Sequence, residues 1–274
     1  MNEPSARTNS DSEPAAAPEI DTSVAHSARV WNFWLGGKDN FAADREVGEY
    51  VLEAFPEMVA AARADRQFLV RAVTHLAGQA GIRQFLDLGT GLPTADNTHE
   101  VAQRVAPTSR IVYVDNDPLV LAHARALLTS TADGATDFVD SDLRDPDVVL
   151  EKAAKTLDFS QPVGLTILGT MGHIGDNDEA YEVVRQYVAA LPSGSYLALC
   201  DGTSTSEAMR EAERRWNATA AVPYHLRTPE EIAAFFDGLE LLEPGVVSAS
   251  RWRPDSGDAL PDEVDQYCGV GRKP

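Results

Sequence analysis

From residue 81 onward, short apolar runs alternate with stretches of helical periodicity, and this alternation restricts the fold more than any other feature of the chain. It is typical of βαβ units, in which helices connect parallel strands of one sheet. The predicted strands are residues 84–88, 110–115, 136–139, 164–168, 195–200, 246–251 and 266–271. The pattern therefore predicts an α/β fold with a seven-stranded, mainly parallel sheet and helices on both faces.

Helix-start signals follow several of the predicted strands. The candidate N-caps are Asp117, Asp176 or Asp178, and Thr228. Asp117 is followed by Pro118, a residue favoured in the first turn of a helix. Thr228 is followed three residues later by Glu231, as in a capping box. These signals place helices between strands, as βαβ units require.

The N-terminal part of the chain differs in character from the rest. Residues 1–23 are rich in Ser, Pro, Ala, Asp and Glu without apolar periodicity, so we predict a disordered tail. Residues 24–78 carry apolar side chains at steps of mostly three and four residues, which predicts two or three helices. Within this segment, the pair Gly36-Gly37 followed by Lys38 predicts a turn.

The composition narrows the partners that such a protein can have. With 274 residues, of which 43% are hydrophobic, the chain can bury a sizeable core. Its net charge of −20 opposes phosphate backbones and anionic membranes, so we expect neither nucleic acid nor a membrane as partner. The sequence has no apolar run of about 20 residues and no secretory signal, which predicts a cytoplasmic location. Cys200 and Cys268 are too few and too far apart for a disulfide scaffold or a zinc site, so no metal is predicted.

The first predicted strand, 84–88, ends in a Gly-Thr-Gly turn at 89–91. Because glycine lacks a side chain, a ligand can approach the backbone closely at such a turn. In the dinucleotide fingerprint a glycine or alanine stands in the sixth place of the motif, but here that place is Thr94. Asp87, just before the turn, suits an ammonium group better than a pyrophosphate. The turn therefore favours a nucleotide-type cofactor with a methionine moiety over a dinucleotide.

Two further acidic residues follow the next two strands. Asp115 lies 24 residues after Gly91, close to the spacing of about 20 residues expected for an acid that binds ribose hydroxyls. Asp142 follows the third strand, where it could accept a hydrogen bond from the exocyclic amine of adenine while Leu143 covers the ring. Each residue alone is more often part of a turn or a helix cap. Their order and spacing together predict a cofactor site of the nucleotide type.

The run from Asp87 to Gly91, with Asp115 and Asp142, resembles the first three motifs of the class I S-adenosylmethionine-dependent methyltransferases. Residues 191–197, Leu-Pro-Ser-Gly-Ser-Tyr-Leu, are similar to the segment that leads into their fifth strand.

Residues 26–41 and 89–94 more specifically resemble an actinobacterial family of predicted methyltransferases, classified as a domain of unknown function. This likeness covers nearly everything after the tail. Pro93 stands where the wider superfamily has a third glycine, so the cofactor loop is expected to run slightly differently.

The resemblance implies a Rossmann-like fold and S-adenosylmethionine as the cofactor. From the motifs and the resemblance together, the residues expected at the cofactor are Asp87, Gly89, Thr90, Gly91, Asp115, Asn116, Asp142, Leu143, Gly169, Met171 and Lys38.

The methyl acceptor is expected beyond the fourth strand, because the carboxyl ends of the strands form the ligand crevice in open α/β sheets. His173, in the loop after that strand, is the candidate general base, since an imidazole titrates near neutral pH. The commoner role for a loop histidine is a bond to the backbone or to a helix cap. His225 is a second candidate. The loop lacks the Asn-Pro-Pro-Tyr sequence, which argues against acceptors of the nucleic-acid base or amide type.

The aromatic residues at 31–34 have two possible roles: the core of a helical layer, or a roof over the active site. Under a roof, the polar residues in reach of the cofactor carboxylate or an acidic acceptor would be Arg29, Asn32, Lys38 and Asn40. We favour the roof, because Lys38 and Asn40 lie in a glycine turn that could close over a ligand.

The sequence thus predicts a tail at 1–23, an N-terminal helical lid at 24–78 and a methyltransferase domain at 79–274 that acts on a small molecule. Two alternatives stay open. One is a cofactor-binding regulatory protein without catalysis, and the other is an NAD-dependent oxidoreductase.

Overall fold

Strands and helices alternate through the chain from the first strand onward. The computed structural model describes residues 21–127, 129–254 and 260–274. The helices in this part are α1 (Ser27–Trp34), α2 (Ala42–Ala54), α3 (Met58–Gly78), α4 (Thr98–Val105), α5 (Pro118–Leu127), α6 (Pro146–Ala153), α7 (Asn177–Ala190), α8 (Glu207–Thr219) and α9 (Pro229–Ala234). The strands are β1 (Gln84–Leu88), β2 (Arg110–Asp115), β3 (Ala135–Asp140), β4 (Gly164–Leu168), β5 (Tyr196–Gly202), β6 (Glu240–Leu241), β7 (Val247–Ser248) and β8 (Gln266–Arg272).

The strands form one sheet in the order β3-β2-β1-β4-β5-β8-β6. Neighbouring strands from β3 to β5 are parallel, whereas β8 runs antiparallel to β5. On its other side, β8 pairs with β6 near one end and with β7 near the other, so two short strands share one edge position. The mainly parallel sheet predicted from the sequence is therefore confirmed, and the described residues form eight strands in seven positions.

The predicted strand at 246–251 is wrong in its second half. Only Val247–Ser248 pairs with β8, and Ala249–Arg251 forms a 3-10 turn. Arg71 on α3 donates hydrogen bonds to the carbonyl oxygens of Ala249 and Trp252 at 2.6 and 2.8 Å. The chain leaves the sheet there because Trp252 turns inward and is fully buried against α3.

The two faces of the sheet are covered by different helices. Strand residues alternate between faces, so Leu86 and Leu88 pack with α6 and α7, while Phe85 packs with α3 and α4. By the same alternation, Asp87 points to the side of α3. Helix α3 is thus part of the main core, and the division of the chain at residue 78 stays a prediction.

Residues 24–78 contain three helices, in agreement with the two or three that the sequence predicts. Helices α1 and α2 pack with the start of α3 and with α8 in a separate apolar cluster. Residues 1–20 of the predicted tail lie outside the described residues. Asp21 is described, and its carbonyl oxygen accepts a hydrogen bond from Arg29 at 2.9 Å. In the described ranges, no helix combines the length and the apolar character needed to cross a bilayer.

The predicted helix caps are present. Asp176 accepts a hydrogen bond from the Glu179 amide at the start of α7, and Thr228 forms a capping box with Glu231 at the start of α9. These caps end the loops that follow β4 and α8.

Candidate active site

A cavity of about 260 Å³ opens at the carboxyl ends of β1, β2, β3 and β4. The loop that follows each of these strands contributes to its wall, and helices α1 and α3 close the opposite side. This is the crevice in which open α/β sheets bind their ligands.

Most of the residues predicted at the cofactor line this cavity. They are Asp87, Gly89, Thr90, Gly91, Asp115, Asn116, Asp142, Leu143 and Gly169, and the candidate base His173 lines it as well. Lys38 does not: its side chain is exposed on the turn after α1. Met171 is fully buried in the core beneath the loop and does not reach the cavity.

The glycine turn after β1 is bonded to the neighbouring strand. Gly89 and Gly91 both have positive φ, at 67° and 66°, a conformation that glycine adopts without strain. The amides of Gly89 and Thr90 donate to the carbonyl oxygen of Val114 at 2.9 and 3.2 Å. The turn is therefore fixed in place before any ligand binds.

Asp115 lies at the end of β2 with part of its side chain facing the cavity. Its Oδ2 accepts a hydrogen bond from the Gly91 amide and its Oδ1 from the Asp117 amide, both at 2.9 Å. A carboxylate has about four acceptor positions, so each oxygen can still accept a hydroxyl proton. Burial raises the pKa of Asp115. The geometry suits a carboxylate that is held by the backbone and binds a pair of hydroxyl groups.

Asp87 is buried below the glycine turn. Its Oδ2 accepts a hydrogen bond from the Thr98 hydroxyl at 2.6 Å, and burial raises its pKa. Asp87 therefore lines the cavity as a carboxyl group with one oxygen already bonded.

Asp142, at the β3 end of the cavity, is engaged by Arg144. Both Nε and Nη2 of Arg144 bond to the carboxylate, at 3.1 Å to Oδ1 and 2.6 Å to Oδ2, and this pairing lowers the pKa of Asp142. The sequence did not indicate this ion pair. An amine that binds Asp142 must therefore share its carboxylate with the guanidinium of Arg144.

His173 lies in the 3-10 turn after β4. Its Nδ1 is 3.0 Å from the carbonyl oxygen of Pro223, which can only accept a proton, so Nδ1 must be the protonated nitrogen of the neutral ring. Nε2 then carries the lone pair, and it has no hydrogen-bond partner in the described ranges. Burial lowers the pKa of His173, which keeps the ring neutral at pH 7.

A second, smaller cavity of about 40 Å³ adjoins the first. Ser27, Trp31 and His173 line both, and the rest of the second wall includes Trp34, Trp216 and Tyr224. His173 therefore lies where a polar cavity meets an apolar one.

A hydrogen-bonded pair supports the loop of His173 from below. The Tyr224 hydroxyl donates to Oδ1 of the buried Asp201, while Oδ2 of Asp201 accepts from the Gly172 amide at 2.8 Å. Tyr224 also meets His173 edge to face, with ring centroids 5.1 Å apart. His225 lines neither cavity, and its Nδ1 lies 3.9 Å from Glu213 on α8.

The polar residues predicted to lie under the aromatic roof do not all reach the cavity. Asn32 lines the cavity, and its Oδ1 accepts hydrogen bonds from the Asp39 amide and the Asn40 side chain, at 3.0 and 2.9 Å. Arg29 is buried in an ion pair with Asp44, its Nε 3.2 Å from Oδ1. Trp31 lines the cavity, whereas Arg29 and Asn40 do not.

Among the charged residues of the cavity wall that the sequence analysis did not single out are Asp65 and Arg66 on α3. Both line the cavity, and Asp65 is 5% exposed. Asp65 interrupts the apolar stripe of α3, between Ala62 and Leu69, and a charged residue on a buried helix face was the available signal.

The sheet order and the site together define a class. The dinucleotide-binding Rossmann fold has six strands in the order 3-2-1-4-5-6, but here the antiparallel β8 lies next to β5. With the glycine turn after β1 and the acid after β2, this is a Rossmann-like nucleotide-cofactor domain outside the dinucleotide group.

Comparison with known proteins gives the family. Residues 13–274 match the family model described as S-adenosyl methyltransferase, and the chain belongs to that family. It is therefore an S-adenosylmethionine-dependent methyltransferase, and the NAD-dependent alternative is set aside. A search of curated proteins found no significant match.

Two similar structures are from actinobacteria. A DUF574-family protein from Streptomyces avermitilis has a TM-score of 0.89 and 45% identity, covering 93% of this chain and 100% of that one. A protein from Thermobifida fusca, classed as a predicted methyltransferase, has a TM-score of 0.85 and 42% identity, covering 92% and 96%. An O-methyltransferase family protein from Burkholderia thailandensis shares the fold alone, with a TM-score of 0.50 and 17% identity over 82% of this chain and 62% of that one.

Proposed function

We propose that this methyltransferase acts on a small molecule and that His173 is its general base. The observation that carries the proposal is the position of His173 at the junction of the two cavities, with Nδ1 facing a carbonyl oxygen. S-adenosylmethionine, when bound, supplies an electrophilic methyl group for an in-line displacement.

The chain's own residues supply the alignment and the proton acceptor. Nε2 of His173 can take the proton of an acceptor heteroatom, because Nδ1 already holds the ring's proton. The Pro223 carbonyl then stabilises the imidazolium, and the nearby Asp201 favours it by charge. Removal of the proton at this point makes the acceptor a better nucleophile.

The aromatic wall of the second cavity supports an acceptor with an apolar body. Trp31, Trp34, Trp216 and Tyr224 offer ring surfaces beside His173. The net charge of −20 opposes a nucleic-acid acceptor. The cytoplasmic location predicted from the sequence stays a prediction.

The cofactor residues are part of the same proposal. Asp115 binds the ribose hydroxyls, Asp142 and Leu143 face the adenine, and Gly89 and Gly91 let the ligand approach the backbone. The hydrogen bonds that hold Asp115, and the lining of the cavity, support this arrangement.

The test combines binding with turnover. Titration calorimetry with S-adenosylhomocysteine measures cofactor binding, and a screen with methyl-labelled S-adenosylmethionine measures transfer to small phenols, amines and carboxylic acids. On an acceptor found in this way, His173→Asn should lower kcat by about 100-fold or more while the Kd for S-adenosylhomocysteine changes less than about twofold.

His225→Asn is the matched control, because His225 lines neither cavity. Its activity should equal that of the wild type. If His173→Asn kept wild-type activity, His173 would not be the general base. Cofactor binding without transfer to any small molecule would instead favour the regulatory alternative.

A further inference from the structure

Two adjacent charged residues on α3 line the cavity, and packing of the helix does not explain them. Oδ1 of Asp65 and Nε of Arg66 are both buried, and neither has a hydrogen-bond partner in the described ranges. Buried polar atoms without a partner are rare in folded proteins, and each calls for an explanation. Asp65 Oδ1 is a hydrogen-bond acceptor and Arg66 Nε is a donor. A ligand that carries both a donor group and an acceptor group would satisfy the two atoms together.

Arg66 is held so that its guanidinium stays beside the cavity. Its Nη2 donates to the carbonyl oxygens of Ala95 and Asp96, at 3.4 and 3.1 Å, in the loop between β1 and α4. These bonds leave Nε unused. A guanidinium fixed in this way is suited to a carboxylate, since the two groups are complementary in charge and shape.

Asp65 lies in an acidic corner of the cavity. Asp87 on β1 and Arg66 on the same helix line the cavity as well, and Cys200 and Asp201 on β5 are close enough to affect the pKa of Asp65. Burial raises the pKa of Asp65 to about 7, with Asp87 and Asp201 adding to the increase and Arg66 and the Cys200 thiol opposing it. Since acids outnumber the single arginine, this corner favours a cationic group.

The corner lies at the β1 end of the site. In the sheet order β3-β2-β1-β4, Asp142 follows β3, Asp115 ends β2, and Asp87 lies on β1 facing α3. If the adenine is bound at β3 and the ribose at β2, the remaining part of the cofactor lies over β1. That part is an α-amino acid with one ammonium and one carboxylate.

We propose that Asp65 and Arg66 bind the amino-acid end of S-adenosylmethionine, Asp65 accepting from the ammonium and Arg66 donating to the carboxylate. The proposal rests on the family's cofactor and not on the identity of the methyl acceptor. The sequence predicts Lys38 as a residue that contacts the cofactor carboxylate, but Lys38 does not line the cavity. Arg66, which does line it, takes this role in the proposal.

Three ligands separate the two contacts in equilibrium titrations. S-adenosylhomocysteine has both charged groups, its decarboxylated analogue keeps only the ammonium, and 5′-methylthioadenosine has neither. Asp65→Asn should weaken the first two ligands by about 10- to 100-fold and leave the third within about twofold. Arg66→Gln should weaken only S-adenosylhomocysteine by that factor.

The matched controls are Glu57→Gln and Arg63→Gln, at exposed positions near the start of α3. Neither should change the affinity for any of the ligands. Equal loss of affinity for all three ligands in Asp65→Asn or Arg66→Gln would show a general effect on the site and overturn the proposal, as would no loss at all. Failure of the wild type to bind S-adenosylhomocysteine would instead contradict the cofactor assignment.

Discussion

The backbone amide of Gly91 donates a hydrogen bond to Oδ2 of Asp115 over 2.9 Å, and this bond joins the glycine turn after β1 to the end of β2. The two residues therefore form one unit: the turn that lets a ligand approach also fixes the carboxylate beside it. Because the Asp117 amide holds the other oxygen, the side chain would lose little further freedom on binding the ribose proposed for it.

Asp115→Ala should weaken the binding of S-adenosylhomocysteine by about 1.5–3 kcal/mol, through the loss of charge-assisted hydrogen bonds to the ribose. Titration calorimetry measures the change. Asp140→Ala is the control, since Asp140 is exposed and lies opposite Asp115 in the β2–β3 register. An unchanged Kd in Asp115→Ala would remove Asp115 from the cofactor site.

The pH dependence of the reaction should report His173. Burial lowers the pKa of this group below its usual value of 6.5, so the neutral base is present at pH 7. We expect kcat/KM for the methyl acceptor, measured at saturating cofactor so that the titration of Asp65 does not enter, to stay constant from pH 8 to pH 7 and to fall only at lower pH, as the ring takes up a proton. A stopped-time assay with labelled cofactor over pH 5–8 checks this. A fall that begins above pH 7 would show that another group is the base.

The sequence predicts the fold and most of the site because both follow from local signals. Strand periodicity and the glycine turn identify β1, and the carboxylates at the ends of β2 and β3 are brought to the same edge by parallel pairing. Met171 does not reach the cavity because neighbours in a loop can point to opposite sides: Gly169 faces the cavity and Met171 the core. The sequence does not indicate Asp65 and Arg66, because their place in the cavity wall depends on how α3 docks against the sheet, which no local pattern encodes.

Lys38 is a second residue whose position the local sequence does not determine. The predicted glycine turn is present, but the Asp39 amide donates a hydrogen bond to Asn32 within it, and the Lys38 side chain is exposed to solvent. Lys38→Ala should therefore leave the Kd for S-adenosylhomocysteine within about twofold of the wild type, because exposed substitutions away from a site have small effects. A tenfold loss of affinity for S-adenosylhomocysteine would instead show that Lys38 contributes to cofactor binding.

Gly89→Ala should destabilise the protein. Gly89 has a φ of 67°, and an added Cβ would collide with the Thr170 side chain of the loop after β4. A positive φ alone costs a residue with Cβ about 1–2 kcal/mol. Gly175→Ala is the control, since a Cβ there meets no atom within 4 Å. Urea unfolding of both variants measures the difference, and equal midpoints would contradict the argument.

Asp65 should also make the stability of the protein without cofactor depend on pH. Burial raises its pKa from 3.8 to about 7, so between these values the folded state holds a proton that the unfolded state has released. Because the unfolded state binds fewer protons, the free energy of unfolding falls as pH rises through this window. A shift of this size corresponds to at most about 4 kcal/mol, reached above pH 7.

Asp65→Asn removes this titration and keeps the shape of the side chain. The variant should therefore be more stable than the wild type at pH 8, and the difference should shrink toward zero near pH 4. Comparison with the wild type is necessary because Asp87, Asp115 and Asp201 are also buried acids with raised pKa values, and both proteins share their contribution. Urea unfolding at several pH values measures the difference. A difference that is constant with pH would mean that Asp65 keeps an ordinary pKa in the folded protein, because only a proton held by one state and not the other changes stability with pH.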